Sequence, residues 1–137
     1  MVFDPSRDYP LGTKRPDLIT TPGRIPLGDV TLDALRAGAL GAGEIRATPE
    51  TLRLQAEVAR AGGRAQLGES LERAAELAAV PDELLLEIYT ALRPRRSTGA
   101  ELEAWAVRLD GHGAAKTAAF VREAAAVYAE RGLLADG

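Results

Sequence analysis

The sequence predicts an all-α protein: a small bundle of about five helices with an extended, proline-rich N-terminal arm. Three observations carry that expectation. Apolar residues recur at helical spacing from Thr48 to Tyr128. Proline, glycine and Ser/Thr stand where helices would start and stop. No segment shows sustained period-two alternation rich in β-branched residues, so a sheet is not expected. No repeat of fixed length is present either, which argues against a solenoid. The expected division is an arm over residues 1–30 and one helical domain over residues 31–137.

The arm comes first. Five of the eight prolines (Pro5, Pro10, Pro16, Pro22 and Pro26) fall in the first 30 residues. Each restricts φ, removes a backbone donor and biases the residue before it toward extended geometry. Tyr9, Leu11, Leu18, Ile19, Ile25 and Leu27 would be wasted in a solvated tail, and they suit a segment that orders on a partner. Thr31 then reads as an N-cap, with Val30 and Leu35 placed as a hydrophobic staple and Gly38 as the stop. Gly41 and Gly43 mark a second turn.

Thr48-Pro49-Glu50 opens a helix that should run to about Ala61, because proline is prearranged for the first helical position and an early acid favours the dipole. Gly62 and Gly63 punctuate it, and Leu67, Leu71, Ala74, Ala75 and Ala78 continue the helical spacing to about Val80. Pro81 opens the next helix, where Leu85, Ile88, Tyr89 and Leu92 share a face that Leu84 and Leu86 widen. At about 100° per residue this apolar arc covers about 200°, roughly twice the minimum stripe of a surface helix, so the helix needs company on two sides. Pro94 stops it. Thr98 with Glu101 forms a capping box ahead of Leu102, Trp105, Ala106 and Leu109. Gly111 and Gly113 end that helix. The last runs from about Ala114 to Arg131, with Val121, Ala124, Ala125 and Tyr128 on one side, and ends at Gly132.

Composition narrows the function classes. The chain has 137 residues and no cysteine, and its 17 basic against 20 acidic residues leave a net charge of −3. Disulfides are excluded, and a pI near 5.2 is not the basic footprint of a nucleic-acid binder. No apolar run of about 18 residues is available for a membrane span, nor does Met1 to Tyr9 hold the apolar stretch of a secretory signal. A cytoplasmic location is the expectation. Only 4% of the residues are aromatic and about a fifth are alanine. Alanine contributes little of the apolar area that drives folding, so the core should be thin and part of the stability should come from another chain.

A search for chemistry returns little. The one histidine, His112, lies two residues after Asp110, the beginning of the cobalamin-binding pattern Asp-x-His-x-x-Gly. The pattern fails, because Ala115 stands where its glycine should be and the segment links two helices instead of following a strand. Gly38, Gly41 and Gly43 lack the strand, lysine and Ser/Thr of a phosphate cradle. Glu69, Glu72 and Glu76, like Glu83 and Glu87, have helical spacing, but no histidines accompany them to make a di-metal site. Ser6, Ser70 and Ser97 have no base near them in sequence. Arg93, Arg95 and Arg96 are the densest basic cluster, suited either to a helix C-terminus or to acidic groups of another chain.

The words of the sequence then become recognisable. The stretches Thr48-Pro-Glu-Thr-Leu-Arg-Leu-Gln-Ala, Glu72-Arg-Ala-Ala-Glu-Leu-Ala-Ala-Val-Pro-Asp and Glu87-Ile-Tyr-Thr-Ala-Leu-Arg-Pro-Arg-Arg-Ser-Thr resemble the small (gamma) subunit of adenosylcobalamin-dependent diol and glycerol dehydratases. The resemblance starts at Asp8-Tyr-Pro-Leu, continues through Ala119-Phe-Val-Arg-Glu-Ala to Tyr128, and covers about residues 8 to 134. Glycine at 99, 111 and 113 and the residues from Pro22 to Gly28 depart from the family pattern, all in expected turns or the arm.

The resemblance implies a dimer of heterotrimers built with large (alpha) and medium (beta) subunits. In that family the large subunit holds the substrate and metal sites, and cobalamin lies between the large and medium subunits. The implied reaction is the radical dehydration of a 1,2-diol to an aldehyde, propanediol giving propanal and glycerol giving 3-hydroxypropanal. No catalytic, cofactor or metal residue is expected on this chain, and the candidate interface residues are Tyr9, Leu11, Arg93, Arg95 and Arg96. The short leader before Tyr9 is similar to the glycerol type. Longer leaders are associated with bacterial microcompartments, so a diffuse cytoplasmic enzyme is favoured over a packaged one. The rival reading is a stand-alone helical adaptor or regulator, which neighbouring reading frames for the other subunits would separate from the first.

Overall fold

The computed structural model describes residues 2–137, whose regular elements are helices. Among them the one β-type pairing is an isolated antiparallel bridge between Thr20 and Pro26. The helices in chain order are α1 (Pro5–Asp8), α2 (Leu11–Lys14), α3 (Leu32–Arg36), α4 (Pro49–Ala61), α5 (Ala65–Leu77), α6 (Asp82–Ala91), α7 (Gly99–Gly111) and α8 (Ala115–Arg131). The last five are the long ones. Single 3-10 turns lie at Pro16–Leu18, Leu27–Asp29 and Ala42–Glu44. The chain separates into two compact units, one ending at Ala78 and the other starting at Ala79.

In the first unit the proline-rich segment is wound into short turns where an extended course was expected. The reason is local. Proline's φ suits a first helical turn as well as an extended strand, and the Asp4 side chain caps α1 by accepting from Ser6 N–H. Pro5 and Pro16 both stand at the start of such turns. α1 then packs on α4. Thr31 caps α3 by accepting from Ala34 N–H, and Thr48 caps α4 by accepting from Thr51 N–H, both as the sequence suggests.

α4 and α5 pack against each other over small residues: Ala56 and Ala59 on one, Gly68 and Ala75 on the other, all buried. A Cβ built on Gly68 would lie 3.2 Å from the Ala56 carbonyl oxygen, so the two backbones approach as closely as they do because position 68 has no side chain. Arg60 Nη1 meets Glu72 Oε1 across this pair at 2.6 Å.

The second unit is built on a helical hairpin. α7 buries Leu102, Ala106 and Leu109, and α8 follows Ala114 with buried Ala118 and Val121, both sets at i, i+4, i+7. The capping box of Thr98 and Glu101 is made in both directions, at 3.2 and 2.8 Å. Arg122 on α8 holds Glu103 at 2.9 Å and Asp110 at 2.9 Å, both on α7. These carboxylates raise its guanidinium pKa, the Glu103 hydrogen bonds most. Leu102, Leu109 and Val121 are the largest fully buried side chains, so the core is as thin as the composition implies.

Candidate subunit interface

The residues that might have carried chemistry hold the fold. His112 is exposed and caps α7, its backbone N–H reaching the carbonyls of Arg108, Leu109 and Asp110. Ser97 Oγ is buried and donates to Ala91 O at 2.8 Å. Ser70 Oγ accepts from Arg73, and Ser6 Oγ donates to Asp4. Among the described residues no group of three His, Cys, Asp or Glu side chains is placed to hold a metal ion.

The five candidate interface residues fall into different settings. Tyr9 is 58% exposed, while Leu11, two residues on, is 7% exposed and belongs to the core of its own unit. The separation follows from α2, whose single turn directs Leu11 inward and leaves Tyr9 outside it. Leu11 thus packs mainly within its own unit, where the sequence suggested a docking residue. Both line a cleft of about 780 Å³ whose walls include Ile19, Val58, Leu67 and Leu71. Beside this cleft Asp8 is buried and accepts from Arg7 at 2.7 and 2.8 Å, from Arg15 at 3.2 Å and from Asp4 N–H at 2.9 Å. The Arg7 hydrogen bonds, then the backbone donor, hold its carboxyl well below the usual aspartate range despite burial.

Arg93, Arg95 and Arg96 are all exposed, in the turn that closes α6. α6 itself buries only Leu84, Ile88 and Ala91, a stripe about 60° wide at about 100° per residue. Leu86 and Tyr89 lie on the far side and are 66% and 58% exposed. The wide apolar arc seen in the sequence is thus half covered. Leu86 also lines a groove of about 440 Å³ with Thr90 and Trp105. Sequence reasoning did not single out Leu86 or Trp105 as surface; the available signal was Leu86 at the edge of the 200° arc.

Comparison with known proteins identifies the family. A family model described as dehydratase small subunit matches residues 5–135. The chain belongs to that family. The propanediol dehydratase small subunit of Citrobacter freundii is 54% identical over 125 residues, spanning 90% of this chain and 73% of that protein. The subunit of the same name from Salmonella typhimurium (strain LT2) is 52% identical over 125 residues, spanning 90% of this chain and 72% of that protein. In the second unit the exposed face of α6 and the arginine turn are the candidate interaction surfaces.

Proposed function

We propose that this chain is the non-catalytic small subunit of a diol dehydratase, a hydro-lyase that converts a vicinal diol to an aldehyde and water. The observation that carries the reading is the identity of 54% and 52%, over 90% of this chain, to subunits named for propanediol dehydratase. That makes 1,2-propanediol the first substrate to test and glycerol the second. The assembled enzyme would hold two copies each of large, medium and small subunits. It would work in the cytoplasm, free or inside a microcompartment, and no helix among the described residues is long and apolar enough to cross a membrane.

Adenosylcobalamin is the cofactor proposed for the complex, where it would supply the radical that removes hydrogen from the diol. The residues of this chain do not fit it. Its one imidazole, on His112, is an exposed helix cap between two glycines and lines neither the 780 Å³ cleft nor the 440 Å³ groove. The cofactor is accordingly assigned to the other subunits, and no step of the reaction passes through this chain.

The test is reconstitution. Coexpressed with the large and medium subunits, the chain should copurify in fixed ratio and complete an enzyme that forms propanal from 1,2-propanediol when adenosylcobalamin is added. Omitting it should cost activity or assembly. A chain that stays monomeric beside the other two subunits, with their activity unaffected by it, refutes the proposal.

A further inference from the structure

We infer that the turn from Leu92 to Ser97, together with the groove between α6 and α7, is a preorganised basic docking surface for a carboxylate-bearing, apolar ridge of another dehydratase subunit. The inference rests on the small-subunit role proposed above and adds which face is used and what chemistry it meets.

The first observation is charge left without a partner. Arg7, Arg15, Arg60 and Arg122 all hold carboxylates within the chain. Arg93, Arg95 and Arg96 are exposed, and no side-chain hydrogen bond or ion pair engages them among the described residues. In a chain with a net charge of −3, three neighbouring guanidinium groups left open form a local basic patch. A dipole role accounts for a cation close to the last turn of α6, and that influence fades beyond it.

The second observation is rigidity. Arg95 N–H donates to Leu133 O at 2.7 Å, and Ala135 N–H to Ser97 O at 2.9 Å, so the C-terminal tail straps the turn from both sides. Tyr128 Oη donates to Leu92 O at 2.6 Å and Ser97 Oγ to Ala91 O at 2.8 Å. The backbone that carries the three arginines is thus fixed before binding, while their side chains are left to order on a partner.

The third is a conformational cost. Arg95 has φ of +60°, in the left-handed region where glycine carries no Cβ penalty. Among the described residues Arg24, at φ +63°, is the other non-glycine residue in this region, whereas Gly38, Gly63, Gly113 and Gly132 supply positive φ elsewhere. Positive φ at an arginine is therefore not peculiar to position 95, but it carries a cost that glycine there would relieve.

The neighbouring groove sets the rest of the partner's chemistry. Leu86 and Trp105 line it beside Arg96, with two carboxylates also on its wall: Glu101, engaged by the Thr98 N–H, and the exposed Glu87 on the α6 side, so the basic character lies at the arginine turn and not along the whole groove. An apolar side chain seated against Leu86 and Trp105, flanked by carboxylates, would meet the arginine forks in bidentate geometry. A nucleic acid would supply phosphates for the same forks, but the acidic chain around them repels a polyanion.

The experiment measures binding of the full chain to the coexpressed large and medium subunits, with thermal melting of each variant alongside. Arg95→Gly should melt at the same temperature or higher, since it relieves the backbone, and yet bind about tenfold more weakly. Arg93→Gln with Arg96→Gln should add to that loss, and Leu86→Ser should weaken binding through the groove. Affinity of the parent should fall as salt rises, and that slope should flatten in the arginine variants. Overturning results are Arg95→Gly binding like the parent, a salt slope that the variants do not alter, or variants that abolish self-association of the chain while still joining the other subunits normally. A parent chain that joins no dehydratase subunit removes the small-subunit reading, and this inference with it, whereas a parent that joins them with the variants unchanged removes this inference alone.

Discussion

Gly68→Ala tests the closest approach in the first unit. In an open helix interior this exchange gains about 1 kcal/mol, because glycine loses more backbone entropy than alanine on folding. Here the new methyl would sit 3.2 Å from the Ala56 carbonyl oxygen and 2.8 Å from Arg60 Cγ. The arginine can swing aside, at the expense of its 2.6 Å contact with Glu72. The Ala56 oxygen belongs to the α4 backbone, so α4 and α5 must separate by a few tenths of an ångström. Overpacking of this kind costs about 1–3 kcal/mol. Subtracting the propensity gain leaves a net destabilisation of about 0–2 kcal/mol. Gly68→Val should be worse, since two more methyl groups enter the same space. Gly111→Ala is the control: it ends α7, a Cβ there would have nothing within 4 Å, and the exchange should be stabilising by about 0.4–1 kcal/mol. Urea unfolding followed by far-UV circular dichroism reads all three. A Gly68→Ala chain stabilised by the full propensity gain, matching Gly111→Ala, would show that the two helices do not need glycine to meet.

Two further outcomes follow from particular contacts. Tyr128→Phe removes the 2.6 Å hydrogen bond to Leu92 O and leaves a carbonyl at the end of α6 without its side-chain donor. Denaturant unfolding should show a loss of about 1 kcal/mol, and a change lost in experimental error would mean that water replaces the hydroxyl at no cost. Asp8 has a carboxyl pKa depressed on folding, so its stabilising contribution is complete above the ordinary aspartate value of 3.8 and is lost as pH falls below it. Asp8→Asn should lower the denaturation midpoint at neutral pH and flatten its acid limb; parallel profiles for the two proteins across that limb would exclude the Asp8 cluster as the acid-sensitive element.

Much of the helical framework was legible because caps and breakers act locally. Thr31, Thr48 and Thr98 cap the helices they were expected to cap, and Gly38, Gly113 and Gly132 take positive φ where helices stop. Each depends on a few neighbouring residues, so the linear order of amino acids is enough. Family membership was legible for a related reason: long collinear words preserve both the helix faces and the turns between them. The proline-rich segment was less legible, since Pro5 and Pro16 are compatible with an extended strand and with a first helical turn, and only the Asp4 cap and the packing of α1 on α4 select the latter.

Amino-acid order alone determined where most of the long helices begin and end and that the core would be poor in large side chains. Tertiary structure decided which of several apolar faces is covered. Leu84, Leu86, Ile88 and Tyr89 are alike in hydrophobicity, and only packing puts Leu84 and Ile88 inside and leaves Leu86 and Tyr89 in solvent. It also decided that Leu11 is core while Tyr9 is surface, and that three arginines stand open on a strapped turn. The physical reason is range: a cap is satisfied within one helical turn, whereas burial and unpaired charge depend on residues that are distant along the chain.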